Sequence, residues 1–234
     1  VWFDDSDAEA KIVEFLDEHA LSDFGLDRET ASVLDLGCGN GSLLFALRDD
    51  GWQGELVGVD YSERSVELAR RVAVSRGVVS QEGEETERKV DFKVWDVLNG
   101  SLDDVSTTTT TTPTSGESAS ATAGWDLVLD KGTFDAVSLS GERDAHGRRI
   151  CEGYGERVLQ LLRDGGIFLV TSCNWTEAEL REWFEKKSKT SEAATESGAR
   201  RLRLAGRIEY PSFSFGGVKG QTISTLCFEK VGGR

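Results

Sequence analysis

Short apolar runs alternate along this chain with segments whose apolar positions recur at helical spacing. The runs at 32–36, 55–60, 90–94, 125–129 and 167–171 have the length and continuous apolar character of strands buried on both faces. Between them, Ile12, Val13, Phe15 and Leu16 mark one side of a helix over 7–19, and 42–48 predicts another. Val66, Leu68, Ala69, Val72 and Ala73 mark a third, capped by Ser62. Thr176 caps a further helix, with Glu179 at the capping-box position. The turn Asp164-Gly165-Gly166 leads into the fifth strand, and 201–210 and 221–230 read as two more strands joined by a loop with Gly216, Gly217 and Gly220. Strands alternating with helices predict an α/β fold, a doubly wound and mostly parallel sheet. A length of 234 residues fits one domain over 1–234.

Three stretches break the pattern. Residues 101–124 hold six consecutive threonines followed by almost only Ser, Ala, Gly and Pro, a composition that buries too little to offset its ordering entropy. They read as a flexible insertion between the third and fourth strands. Residues 81–89 and 186–199 read as smaller mobile stretches.

The chemistry concentrates where the first strand ends. VLDLGCGNG, residues 33–41, closes an apolar run with Gly37, Gly39 and Gly41, and a helix opens at once. Glycines there permit a sharp turn with positive φ and the close approach of a ligand. Asp60 ends the second strand about 20 residues downstream, where an acidic residue meets ribose hydroxyls. The spacing departs from the dinucleotide fingerprint, because Ser42 stands where Gly or Ala is required. Asp35, just before the loop, suits a cationic ligand better than a pyrophosphate. S-adenosylmethionine carries a sulfonium and an ammonium and no phosphate. The D-x-G-x-G-x-G form resembles the first motif of class I S-adenosylmethionine-dependent methyltransferases.

Charge and cysteine usage narrow the partners. Lys and Arg number 27 against 42 Asp and Glu, a net charge of −15, which argues against a nucleic-acid partner and suits a basic protein. The same acidity is also what solubility alone would select. Cys38, Cys151, Cys173 and Cys227 form no C-x-x-C pair, so neither a metal site nor a disulfide framework is expected, and a reducing compartment, the cytoplasm, is. No run approaches the roughly 20 apolar residues of a membrane span. The chain holds no methionine and opens on Val1, which reads as a piece lacking its native start; Trp2 and Phe3 are candidates for a lid. His19 and His146 stand alone, so no histidine-dependent mechanism is indicated.

More specific blocks lie downstream. WDLVLDKGTFDAVSLS (125–140), TSCNWTEAELREWF (171–184) and FSFGGVKGQTIS (213–224), with VWFD at the start, resemble the eukaryotic elongation factor 1-alpha lysine methyltransferases of the fungal and animal methyltransferase-like 10 group. The resemblance implies a class I fold, a seven-stranded sheet with a C-terminal antiparallel hairpin, S-adenosylmethionine as donor and a protein lysine as acceptor. Position by position, it carries over Asp35, Gly37, Gly39, Gly41, Asp60, Asp96 and the DKGT block at 130–133; Tyr61 and Val97, adjoining Asp60 and Asp96, are expected with them at the donor site. The Asp130-Lys131-Gly132-Thr133 block replaces the Asn/Asp-Pro-Pro-Tyr/Phe block of enzymes that methylate bases or glutamine.

Methyl transfer from a sulfonium to an amine rests mainly on positioning. Asp130 ends the fourth strand at the open edge of the sheet, where its carboxylate or backbone carbonyl would orient the incoming amine. Lys131, Thr133, Phe134 and Asp135 follow as acceptor-side candidates; Lys131 is equally a partner for a nearby acid, and Phe134 equally a core residue. Two other readings stay open, a small-molecule methyltransferase with an enclosed acceptor pocket and a catalytically silent binding module. The protein is expected to be a monomer.

Overall fold

The glycine cluster follows the central strand of the sheet. The computed structural model describes residues 7–78, 89–107, 124–185, 200–215, 218–221 and 223–232. Within them, Val33–Leu36 (β1) pairs in parallel with Leu56–Asp60 (β2) on one side and Trp125–Lys131 (β4) on the other. Val90–Val94 (β3) lies parallel beyond β2, and Leu162–Ser172 (β5) parallel beyond β4. Ser224–Val231 (β9) runs antiparallel to β5, and Arg201–Ile208 (β6) antiparallel to β9. The order is β3-β2-β1-β4-β5-β9-β6. It reverses direction between β1 and β4, and ligands of open α/β sheets bind in the crevice at such a reversal.

Helices cover both faces. Ala8–Phe24 (α1), Ser42–Asp49 (α2) and Glu63–Arg76 (α3) share one core with Val33, Leu127, Leu129 and Leu169. Thr133–Leu139 (α4), Tyr154–Leu161 (α5) and Glu177–Phe184 (α6) share the other with Leu34, Leu36, Val128 and Phe168. Alternate residues of a strand point to opposite faces, which is why both cores draw on the same short strands. Register carries this into the site. Asp35 lies opposite Leu129 and so shares the α1–α3 face with Lys131, whereas Asp130 lies opposite Leu36 on the α4–α6 face.

Several expectations need correction. The first helix continues past His19 to Phe24, because Gly25, at φ +63°, is the residue that ends it. The fifth strand begins at Leu162 rather than 167: Asp164-Gly165-Gly166 is an irregularity inside the strand, with Gly165 at φ +74°. The stretch joining the last two long strands is itself a hairpin, Ser212–Phe215 (β7) and Val218–Gln221 (β8). Part of the 101–124 insertion is packed structure. Leu102–Val105 forms a 3-10 turn with Val105 buried, and the Trp125 indole donates to the Val105 carbonyl at 2.8 Å. The expectations placed on Trp2, Phe3, 81–88, 108–123, 186–199, Gly216 and Gly217 lie outside the described residues.

Candidate active site

The half expected to hold the donor is built from the loop after β1. Gly37, Gly39 and Gly41 all have positive φ, +67°, +56° and +81°. They do different jobs. A Cβ on Gly37 would collide with Thr133 Oγ1, and one on Gly41 with the Phe92 ring, so those glycines make room for the protein itself. A Cβ on Gly39 would meet nothing within 4 Å, so this glycine faces open space. Its N–H donates to Asp60 Oδ2 at 3.1 Å, while Asp60 Oδ1 accepts from the Ser62 N–H at 2.8 Å. Tyr61 beside it is 81% exposed.

Asp96 and Val97 sit beyond β3 at the same edge. The Asp96 carboxylate closes its own turn, accepting from the Leu98 N–H at 2.8 Å and the Asn99 amide at 2.9 Å. The Val97 carbonyl accepts from Arg157 Nε at 2.9 Å, tying this loop to α5.

Asp35 is the electrostatic centre of this half. It is 3% exposed, and no donor among the described residues is hydrogen-bonded to its carboxylate. Burial pushes its pKa up to about 8, against the opposing pull of Lys131. A buried, unpartnered carboxylate beside an open glycine is costly in the free protein and fits a ligand that brings positive charge.

The half expected on the acceptor side stands on the other face. Asp130 is 1% exposed and its oxygens are occupied. It accepts from the Thr133 N–H at 2.8 Å, the Phe134 N–H at 3.0 Å and the Tyr154 hydroxyl at 2.5 Å. The carboxylate thus satisfies the opening N–H groups of α4, and burial raises its pKa to about 7 against those three hydrogen bonds. The expectation of a carboxylate that touches the amine does not match this arrangement, because the group lies inside the protein with its lone pairs engaged. Thr133 Oγ1 donates to the Leu36 carbonyl at 2.7 Å and fills the space that Gly37 leaves, which joins the two halves.

Asp135 and Phe134 are likewise internal. Asp135 accepts from the Ser172 hydroxyl, the Cys173 N–H at 2.8 Å and the Cys173 thiol at 3.3 Å. Ser172 Oγ in turn accepts from the N–H groups of Asn174 at 3.1 Å and Trp175 at 2.9 Å. One buried carboxylate therefore fixes the loop between β5 and α6, leaving Cys173 and Asn174 exposed at its tip. Phe134 packs among Tyr154, Trp175, Trp183 and Phe184. Lys131, expected on the acceptor side, belongs to the α1 face: its ammonium pairs with Glu9 at 3.2 Å. Sequence reasoning assigned no role to Glu9, Tyr154, Ser172 or Trp175. The last two lie in the 171–184 block, whereas Tyr154 lies in a short helix that no side-chain cap marks in the sequence.

Comparison with known proteins bears on this arrangement. A family model described as a methyltransferase domain matches residues 27–217. The protein-lysine N-methyltransferase EFM4 of Saccharomyces cerevisiae is 37% identical over 231 residues, covering 98% of this chain and 82% of that protein. The chain belongs to this family of protein-lysine methyltransferases. The Schizosaccharomyces pombe efm4 protein is 36% identical over 98% of this chain and 82% of its own length. The human EEF1A lysine methyltransferase 2 is 29% identical over 99% of this chain and 76% of its own. A solved magnesium protoporphyrin IX methyltransferase from Synechocystis, with bound SAM, superposes with a TM-score of 0.56 at 14% identity, over 96% of this chain and 78% of that one. That likeness shows the class I methyltransferase fold.

For a methyltransferase of this family the donor is S-adenosylmethionine, and the residues present fit it. Asp35 offers an unpaired buried carboxylate to its cationic end, Gly39 an open approach, and Asp60 an anchored carboxylate at the end of β2.

Proposed function

We propose that this methyltransferase modifies a lysine of translation elongation factor 1-alpha, and does so as a monomer in the cytoplasm. The observation that carries the substrate is the match over nearly the whole chain to relatives named for EEF1A lysine methylation. Two further features support the rest of the reading. Among the described residues, large exposed apolar side chains are spread over α1, α3, α4 and the ends of β2 and β3 rather than gathered on one helix. The four cysteines are free thiols, which suits a reducing compartment.

The mechanism follows from the two halves. When bound, S-adenosylmethionine supplies a methyl group already activated on a sulfonium, which passes in line to the lysine nitrogen and leaves a neutral thioether. Asp35 and the glycine loop hold the donor; Asp60 aligns its ribose, and Asp96 and Val97 border its base. The lysine enters across the ends of β4 and β5, between Thr133 and the exposed tip at Asn174. Asp130 and Asp135 shape that entrance from within, by fixing the start of α4 and the loop after β5. Asp130 acts through the peptides it holds, not as the base. The lysine proton passes to water at the exposed mouth before the methyl group moves. Alignment then accounts for most of the rate.

Incubation with radiolabelled donor and purified elongation factor 1-alpha tests this. One labelled lysine is expected, with the label lost when that lysine is replaced by arginine. Labelling of free lysine and of no protein would move the reading to a small-molecule enzyme. Labelling of a different protein from a lysate would replace the substrate and keep the reaction.

A further inference from the structure

Glu9 stands in the first turn of α1, far in sequence from every motif, yet it reaches both sides of the switch point. Its Oε1 accepts from the Ser42 hydroxyl at 2.6 Å and pairs with Lys131 Nζ at 3.2 Å. Ser42 is the first residue of α2, directly after Gly41, so Glu9 touches the end of the glycine loop. Lys131 ends β4 on the face that also carries Asp35. Lys131 is only 15% exposed and Glu9 31%, so the pair is screened far less than a surface ion pair.

We propose that Glu9 and Lys131 are positioning residues of the donor site: Glu9 fixes Ser42 behind the glycine loop and holds the Lys131 ammonium beside Asp35. The proposal rests on Asp35 as the contact for the donor's positive end. The charged surroundings of Asp35 give the pair its effect. Asp60 from β2, Asp130 from β4 and Glu9 from α1 all oppose its ionisation, and Lys131 is the cation that favours it. The remaining titratable neighbours, Cys38 in the loop and Tyr154 on α5, are held neutral, mainly by burial. Without Lys131, the carboxyl sits among acids in a buried place and holds its proton more tightly. A donor with two positive groups must then displace that proton at a greater cost.

Donor affinity measured by calorimetry between pH 6 and 9 tests this, on the full chain, with thermal melts to confirm folding. The donor's own amine titrates alike in every arm, so differences between variants report the protein. Lys131→Met should weaken S-adenosylmethionine binding about tenfold at pH 7, with the loss shrinking to about twofold at pH 9, the signature of an Asp35 pKa raised by about one unit. Lys131→Arg should restore the wild-type profile. Glu9→Gln and Lys131→Met should be non-additive, since one holds the other. If Lys131→Met does not fold, Lys131→Gln takes its place. A loss of the same size at every pH, or additive losses, would overturn the proposal and leave a structural ion pair. Asp35→Asn is the separate control. Unchanged affinity and pH dependence there would remove Asp35 as the donor contact, and the proposal with it. A flattened profile in Asp35→Asn with an unshifted midpoint in Lys131→Met would sink the proposal alone.

Discussion

Asp130 gathers three donors onto one buried carboxylate, and its replacement shows what a positioning acid does. In Asp130→Asn the amide keeps one acceptor oxygen and turns an NH2 toward groups that donate, the Thr133 and Phe134 N–H or the Tyr154 hydroxyl. The variant should lose about 1–3 kcal/mol of stability in denaturant titrations and turn over far more slowly, with donor affinity nearly kept. Tyr154→Phe removes only one of those bonds and should cost less, about 1 kcal/mol. Asp35 makes the opposite kind of prediction. Its carboxyl, at about 8 in the free protein, is largely protonated at neutral pH. A cationic ligand stabilises the charged form, so binding at neutral pH releases a proton, and the contribution of Asp35 to affinity rises with pH through about 8 and levels off above it. Calorimetry in two buffers of different ionisation enthalpy reads that proton directly. Asp35→Asn should bind weakly and release none.

At the scale of elements, the glycine loop separates residues needed for folding from those needed for binding. Gly41→Ala places a methyl group against the Phe92 ring at φ +81° and should lower the melting temperature sharply. Gly39→Ala meets no protein atom, so it should cost only about 1–2 kcal/mol of backbone strain while abolishing donor binding, a contrast visible in paired melting and binding measurements. The loop was legible in the sequence because three alternating glycines after an apolar run leave few alternatives, and the strands before it were legible because burial on both faces makes them continuously apolar. Ser62 and Thr176 cap their helices as their spacing indicated. α4 and α5 were not legible: both are short, and neither opens on a side-chain cap as α6 does or directly after the β1 glycine loop as α2 does. In the candidate site, residue types pointed to the carboxyl edge of the sheet but not to the face. Asp130 and Lys131 are adjacent in sequence and point to opposite sides, so one became a buried cap and the other a partner of Glu9.

For the whole molecule, a net charge of −15 sets the long-range field that the proposed substrate, expected to be basic, meets. Methylation of elongation factor 1-alpha should therefore slow as salt rises, mainly through KM, whereas donor affinity, set by buried groups, should change little; steady-state rates from low to moderate ionic strength check both. Deleting 108–123 should alter stability by less than about 1 kcal/mol, because the Trp125 indole on the Val105 carbonyl already holds the flanking chain together; a denaturant titration decides. The Thr133 hydroxyl seated on the Leu36 carbonyl has a consequence for how the two substrates sense each other. Any shift of the glycine loop on donor entry is passed through Thr133 to the start of α4, and through Asp135 to the tip at Asn174. Thermodynamic reciprocity then requires that whatever factor the donor adds to the grip on the protein substrate, the protein substrate adds to the grip on the donor. Where that factor exceeds one, the ternary complex is favoured over either binary one, and spent donor still filling the cradle retains the modified protein until it departs.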